Sequence, residues 1–477
     1  MKKNNLKMML CALVVMALSV CFVSCSKDDD KGNPPVPQKA KYTIMFYGCA
    51  GGNLDVWLEN TIPYIVQALK ANNNQVRFTV MFNTSKDDSR YKKNGVTPNF
   101  LGDWATCYRY EITPEIDLTK EGYRSKYKYK NASEVELYKT QTLVEYINWV
   151  KETAPAENYI LMPMNHGGGT DLAQETRRAI GYDDNHYDSA SEYYFGIGER
   201  AIAEALKQTN THLKAIYWCG CLMGQLEVLT QLAPYCDYQF CSSHVSRAIE
   251  GLIYEIIYAI NQSPNDFEKA ALIDLEYKKT NYNKYFVQVA SGQNGTVHDE
   301  NCDWGCWRSN KLAAINDQVK KLTTLVCESL NEPTAMPKID NATAHTYVFE
   351  FDCHFADVLD FAVNVAERLE GESKATANQI VTDMEKALND AKVYRIDGLN
   401  IVTPQKIAPK KGFFSLGISI YSSSEDTWEK YSENYKATDF DKATGWSKFF
   451  DMNTVPIMES ATNPSNNSTY EFILLDI

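Results

Sequence analysis

The feature that most constrains this chain is a recurring switch between short apolar runs and longer amphipathic stretches. Tyr42–Cys49 (YTIMFYGC), Gln75–Phe82 (QVRFTVMF), Tyr159–Met164 (YILMPM) and Leu213–Trp218 (LKAIYW) read as buried strands. Cys107–Ile112 and Tyr238–Ser242 read as further strands. Helical patterns lie between them. Asn53 can cap a helix with Leu54, Trp57, Leu58, Ile62 and Ile65 on one face. Ser133, with Glu136 three residues on, has capping-box spacing and is expected to open a long helix. Gly198–Gln208 is amphipathic. Strands alternating with helices need right-handed crossovers and build a mostly parallel sheet covered on both faces, so the expected class is α/β. Further on, helices are expected at Phe355–Arg368 and Ala375–Ala391, and a strand at Phe413–Tyr421, as a C-terminal region packed on that sheet.

The 477 residues are 44% hydrophobic and 23% charged, the balance of a globular chain rather than a disordered one. With 48 Lys+Arg against 61 Asp+Glu and no long basic block, nucleic acid is not an expected partner. Beyond residue 24 no apolar run is long enough to span a bilayer. At the N-terminus, Lys2, Lys3 and Lys7 precede the apolar run Met8–Val23, the pattern of a secretory signal. The run ends in Val23-Ser24-Cys25, which resembles a bacterial lipobox. That implies a signal over 1–24 and a diacylated Cys25 that holds the protein to a membrane without spanning it. The alternative is an ordinary cleaved signal with an incidental Cys. Cleavage removes three Lys and no acid, moving the net charge from −13 to −16. The acidic Ser-Lys-Asp-Asp-Asp after Cys25 resembles a surface-export signal of bacterial lipoproteins, which implies an outer-membrane, surface-exposed location. Residues 25–40 are charged and then Pro-rich, a tether rather than a core. Folded sequence is expected from Lys41.

Chemistry in open parallel sheets sits beyond the carboxyl ends of the strands. His166 lies there, in Asn165-His166-Gly167-Gly168-Gly169, and Cys221 lies there, in Cys219-Gly220-Cys221-Leu222-Met223. A Cys nucleophile needs a base to hold it as thiolate, and His is the usual partner. A Gly after the His lets a backbone N–H approach a substrate oxyanion with no Cβ in the way. The bland alternative is a His in a glycine turn and a buried, inert Cys.

The ordered series of motifs resembles the clostripain family of cysteine peptidases, relatives of caspases, gingipains and legumains. The resemblance runs from about Tyr42 to Asp451. It includes Asn53-Leu54, the helix Thr142–Val150, Pro155–Tyr159 leading into His166–Gly169, Gly181-Tyr182-Asp183-Asp184, Cys221-Leu222-Met223 with Glu227-Val228, Gly417–Tyr421 and Trp446. It implies a caspase-like α/β/α sandwich, with a peptidase domain over 41–335 and the C-terminal region of that fold over 336–477. It implies an endopeptidase of protein or peptide substrates, expected as a monomer. Cys221 would be the nucleophile and His166 the acid and base. The N–H groups of Gly167 and Cys221 would form the oxyanion hole. Cys219 is a rival nucleophile, ranked below Cys221 because Leu222-Met223 sets the family register.

One departure bears on specificity. The family commonly has an acid two residues before the catalytic Cys, in the pocket for the residue before the scissile bond; here that pocket position is Cys219. A thiol does not reward a cationic side chain as a carboxylate does. Glu250, before Gly251, matches a second pocket acid or is a solvated loop residue. Ser243–Ser246 resembles the pocket-wall loop but places His244 and Val245 where acids are common. Cleavage after Arg, or Lys, is the expectation. The alternative is a non-catalytic relative that binds peptides or host proteins. The polar, dibasic stretch Gln174–Ala179 between the two motifs is expected to be an exposed loop; one reading has it cut after Arg178, by the protein itself or by another protease, and the other is an ordinary surface loop with two solvated Arg. No metal ligand set is expected. Calcium, which some relatives require, stays open through Asp183, Asp184, Asp188 and Glu192, whose other reading is a solvated loop. Of 13 Cys, the Cys302/Cys306 pair reads as packing or disulfide. Cys353-His354 is no dyad, since nothing places that pair at strand ends together.

Overall fold

The computed structural model describes residues 39–48, 55–84, 105–118, 120, 124–170, 180–188, 193–244, 253–289, 304–349, 355–396, 409–411, 415–420 and 425–452. The strands in chain order are β1 (Ala40–Gly48), β2 (Val76–Asn83), β3 (Thr106–Ile112), β4 (Lys128–Asn131), β5 (Ala156–Met164), β6 (Ile180–Asp188), β7 (Tyr193–Ile197), β8 (Leu213–Tyr217), β9 (Cys236–Cys241), β10 (Gly305–Arg308), β11 (Phe355–Asp357), β12 (Lys392–Arg395) and β13 (Gly417–Ser419). Nine of them make one sheet, ordered β12-β10-β9-β8-β5-β1-β2-β3-β4. Its centre, β9-β8-β5-β1-β2, is parallel throughout. Only β3 and β10 run against that direction, because β4 and β12 reverse again. Two small antiparallel pairs, β6–β7 and β11–β13, stand outside the sheet.

The apolar strands read as continuous runs because both faces are covered. Along β1, Tyr42, Ile44 and Phe46 enter one core, with Phe78, Val80, Ile160 and Met162. Met45 and Tyr47 enter the other, with Met81, Leu161 and Ile216. The first core is closed by α1 (Asp55–Lys70), whose Ile62, Ile65 and Leu69 are buried. The second is closed by α2 (Thr140–Thr153), α3 (Glu199–Gln208) and α4 (Leu226–Leu232). On the first face lie also α5 (Glu255–Gln262) and α6 (Phe267–Val289); on the second, α7 (Leu312–Leu330), α8 (Met336–Ala344), α9 (Val358–Arg368) and α10 (Gly371–Ala391). Three layers result, an α/β/α sandwich. The chain beyond residue 335 also supplies β12, an edge strand of the main sheet. The remaining helices, α11 (Glu425–Lys436), α12 (Asp439–Thr444) and α13 (Ser447–Met452), place Tyr435, Phe440 and Phe449 in the second core. No helix among the described residues is long and apolar enough to cross a membrane.

Two sequence expectations are corrected. Ser133 opens no long helix: Ala132–Glu134 is a single 3-10 turn, and α2 begins at Thr140. The box forms two residues earlier, with the Glu134 carboxylate accepting the Asn131 N–H at 3.0 Å. Burial of Val135 and Leu137 holds the intervening segment on the core, and the Tyr47 hydroxyl donates to the Leu137 carbonyl at 2.6 Å. Phe355–Asp357 is a strand, not the first turn of a helix, because Asp357 is the cap. Its carboxylate accepts the N–H groups of Leu359 and Asp360 at 3.0 and 2.9 Å.

A polar cluster lies under the first face. The Tyr217 hydroxyl donates to Asp274 at 3.0 Å, and Asp274 pairs with Lys278, both without exposure. Beside them, burial pushes the Glu255 carboxyl up to about 7, with Lys278 pulling it down and Asp274 adding to the rise. The folded chain therefore holds this proton more tightly than the unfolded chain. Its stabilising effect is full below the ordinary value of 4.5 and is lost as pH rises through 7. Glu255→Gln should remove that decline, raising stability at about pH 8 by on the order of 1–2 kcal/mol once partial solvent screening is allowed for. Denaturant titrations between about pH 5 and pH 8 test this. Equal declines in both proteins would show that Glu255 does not titrate in that window.

Candidate active site

The site begins with a ladder that outlasts its strands. β5 and β8 pair through Ile160–Ala215 and Leu161–Ile216. A further parallel bridge joins Met164 to Cys219. The Cys219 N–H donates to the Pro163 carbonyl at 2.9 Å, and the Asn165 N–H to the Cys219 carbonyl at 3.2 Å. Both chains then leave the sheet together, His166 one residue on and Cys221 two. Asn165 turns its side-chain oxygen onto the His166 N–H and shapes the first turn. Exposure picks out the same residues. His166, Gly167 and Gly168 are half-buried between buried neighbours, and Cys221 is the one residue with appreciable exposure between Ala215 and Leu229.

The two turns touch at backbone distance. A Cβ on Gly167 would lie 2.0 Å from the Cys221 carbonyl oxygen and 2.8 Å from its nitrogen. A Cβ on Gly220 would meet the Asn165 oxygen at 2.9 Å and the Gly167 nitrogen at 3.2 Å. Glycine is needed at both for room rather than for backbone conformation. Leu222 is the strained member: its φ of 62° is left-handed, which costs a branched side chain about 1–3 kcal/mol. The turn is held from outside, since the Leu222 N–H donates to the His244 carbonyl at 3.0 Å and the Gly224 N–H to the Ser242 carbonyl at 2.7 Å.

Cys219 is brought close but faces away. It has no exposure, its thiol lies 3.5 Å from the Tyr217 carbonyl, and it belongs to the apolar core with Met164, Phe240 and Trp304. A thiolate there would be stripped of water, whereas Cys221, two residues on, is only half-buried. Cys25, Asn53, Arg178, Glu250, Cys302, Cys353 and His354 lie outside the described residues. Cys306 is buried and is not in a disulfide.

Sequence reasoning missed one structure beside the site. Ile180, at the start of β6, bridges to Gly167. Further along β6, Asp183 is fully buried, which corrects its reading as a solvated loop acid. It accepts from Asn83 Nδ2 at 3.2 Å, the Asn185 N–H at 3.0 Å and His186 Nδ1 at 2.9 Å. That hydrogen bond to Asp183 raises the His186 pKa, against burial, which lowers it. Asp183 thus meets N–H donors, and among the described residues no three His, Cys, Asp or Glu converge as metal ligands would. The signals in the sequence were Gly181-Tyr182-Asp183-Asp184 on the first strand and the aromatic density of Tyr193-Tyr194-Phe195 on the returning one.

A clostripain of Hathewaya histolytica is 27% identical over 212 residues, covering 41% of this chain and 36% of that protein. The fold is similar to an inactive zymogen C11 protease from Parabacteroides distasonis, with a TM-score of 0.54 and 15% identity over 86% of this chain and 99% of that one. It is similar too to a secreted C11 cysteine protease from Bacteroides thetaiotaomicron in complex with an irreversible peptide inhibitor. There the TM-score is 0.55, with 12% identity over 85% of this chain and 99% of that one. These likenesses show the fold. The model of the clostripain family matches residues 47–456, and the chain belongs to that family of cysteine peptidases.

Proposed function

We propose that this protein is a secreted, lipid-anchored cysteine endopeptidase using Cys221 and His166. The observation that carries the reading is the backbone contact of the His166-Gly167 turn with Cys221, the half-buried residue of the adjoining strand end. In the mechanism the Cys221 thiol gives its proton to His166, and the sulfur attacks the scissile carbonyl. The Gly167 and Cys221 N–H groups receive the oxyanion. Imidazolium then protonates the leaving amine, and the neutral ring later takes a proton from water that releases the acyl group. Cys219 brings no charge to the pocket, so selection of Arg, or Lys, falls to Glu250. One of the structures of similar fold is that of an inactive zymogen C11 protease. On that likeness the chain would be made latent and would mature by cleavage after Arg178. The anchor rests on Cys25, and the outer-membrane surface on the acidic residues after it.

Acyloxymethyl-ketone peptides ending in Arg, Lys or Leu should label the wild type best with Arg and should not label Cys221→Ala. Cys221→Ala and His166→Ala should each cut turnover on the order of 10⁴-fold or more, with no further loss in the double variant. Intact mass on the same samples should show a break after Arg178 in the wild type alone. An unlabelled wild type, whole or nicked, would end the enzymatic reading in favour of a peptide-binding relative.

Gly167→Ala should lower kcat by about a hundredfold, because the methyl must push the Cys221 turn away. A variant that folds and turns over at the wild-type rate would remove Gly167 from the oxyanion site.

Phase partition in a cloud-point detergent checks the anchor: wild type grown in its native kind of envelope should enter the detergent phase, and Cys25→Ser should stay aqueous. Equal partition would sink the lipid at Cys25.

A further inference from the structure

Outside the two sheet cores stands a third, small apolar cluster of Tyr347, Phe349 and Phe355. It is a short two-chain ribbon. The Phe349 N–H donates to the Phe355 carbonyl and the Asp357 N–H to the Tyr347 carbonyl, both at 2.9 Å. The Tyr347 N–H is fixed by Asp360 at 2.8 Å. Its rings meet edge to face, Tyr347 to Phe349 at 5.6 Å and 85°. His244 completes the cluster: its ring is 4.7 Å from that of Phe349, and its Nε2 is hydrogen-bonded to the Tyr347 hydroxyl at 2.7 Å. All four side chains are buried.

This cluster touches both catalytic turns. On one side the Phe355 ring lies over Gly169, three residues past His166. Gly169 has φ of +76°, and a Cβ there would be 2.5 Å from the ring. On the other side His244 carries the carbonyl that receives the N–H of Leu222, the strained residue next to Cys221. Inside the loop the Ser242 hydroxyl accepts the His244 N–H at 3.1 Å, and the Ser243 hydroxyl donates to the Gly224 carbonyl at 3.0 Å, so the loop is tied to the nucleophile turn at both Leu222 and Gly224. Position 244 offers no charge to a substrate cation. Its imidazole is spent inside the protein.

We propose that His244, Tyr347 and Phe355 are positioning residues, a strut that sets the spacing of the His166 and Cys221 turns. The Tyr347–His244 hydrogen bond is its central joint. The inference rests on the dyad reading given above. Proton transfer between sulfur and imidazole falls steeply with misplacement, and a shift of about 1 Å costs on the order of a hundredfold in rate. The strut therefore acts on kcat, not on the binding of any one side chain.

The test uses the full chain, with peptide substrates bearing Arg or Leu before the scissile bond. Tyr347→Phe removes only the hydroxyl and should lower kcat on the order of tenfold to a hundredfold, with KM for both substrates within about twofold. Phe355→Leu should do the same from the His166 side. His244→Gln, whose amide nitrogen can reach the place of Nε2, should recover most of the rate that His244→Ala loses. A lower melting temperature with unchanged kcat per folded molecule would overturn the proposal, and so would a KM rise confined to the Arg substrate. The two readings fail differently. Turnover that survives Cys221→Ala overturns the dyad and the strut together, whereas turnover lost in Cys221→Ala but untouched in Tyr347→Phe overturns the strut alone.

Discussion

The pairing of β5 with β8, carried past the strands by the Met164–Cys219 bridge, is what the rest of the molecule depends on. Parallel strands have evenly spaced, slanted hydrogen bonds, so extending the ladder by one bridge keeps the two exits in register. The turns that follow cannot choose their separation freely. It is set by a sheet clamped between two apolar cores. Loops are ordinarily the soft part of a protein, and this contact gives two of them the stiffness of the sheet.

Stiffness alone does not expose a thiol. The chain must also turn Cys221 outward while Gly220 and Leu222 on either side stay buried, and it does so with a left-handed Leu. Such a conformation persists only where surrounding contacts over-determine it. Here they are the His244 carbonyl, the Ser242–Gly224 bond and the hydrogen bond from the Gly417 N–H to the Gly224 carbonyl at 2.9 Å. The C-terminal third of the chain is thus an element of the Cys221 turn and not an appendage to it.

Much of this was legible in the residues. The parallel centre showed as apolar runs because both faces of those strands are buried, and His166 and Cys221 stood out because each follows such a run in a Gly-containing turn. What stayed hidden depended on distant partners. Asp183 looks like a loop acid until Asn83 and His186 are seen beside it. Ser133 and Glu136 have the spacing of a cap, yet Val135 and Leu137 are drawn onto the core and delay the helix to Thr140. β4, β10 and β12 are four residues each, too short to show a period, and are strands because a neighbour offers them an edge.

The order of strands in the sheet has a consequence for how the protein is made. β5, which leads to His166, pairs on one side with β1, at Ala40–Ala156, 116 residues earlier in the chain. Its other neighbour, β8, comes later, and the Cys221 turn is tied down by Ser242 and His244 and, far along the chain, by Gly417. Contacts of such sequence separation close late in folding. A chain still being synthesised therefore holds His166 and Cys221 before the frame that brings them together is complete. The topology itself makes the finished turn a product of both halves of the chain.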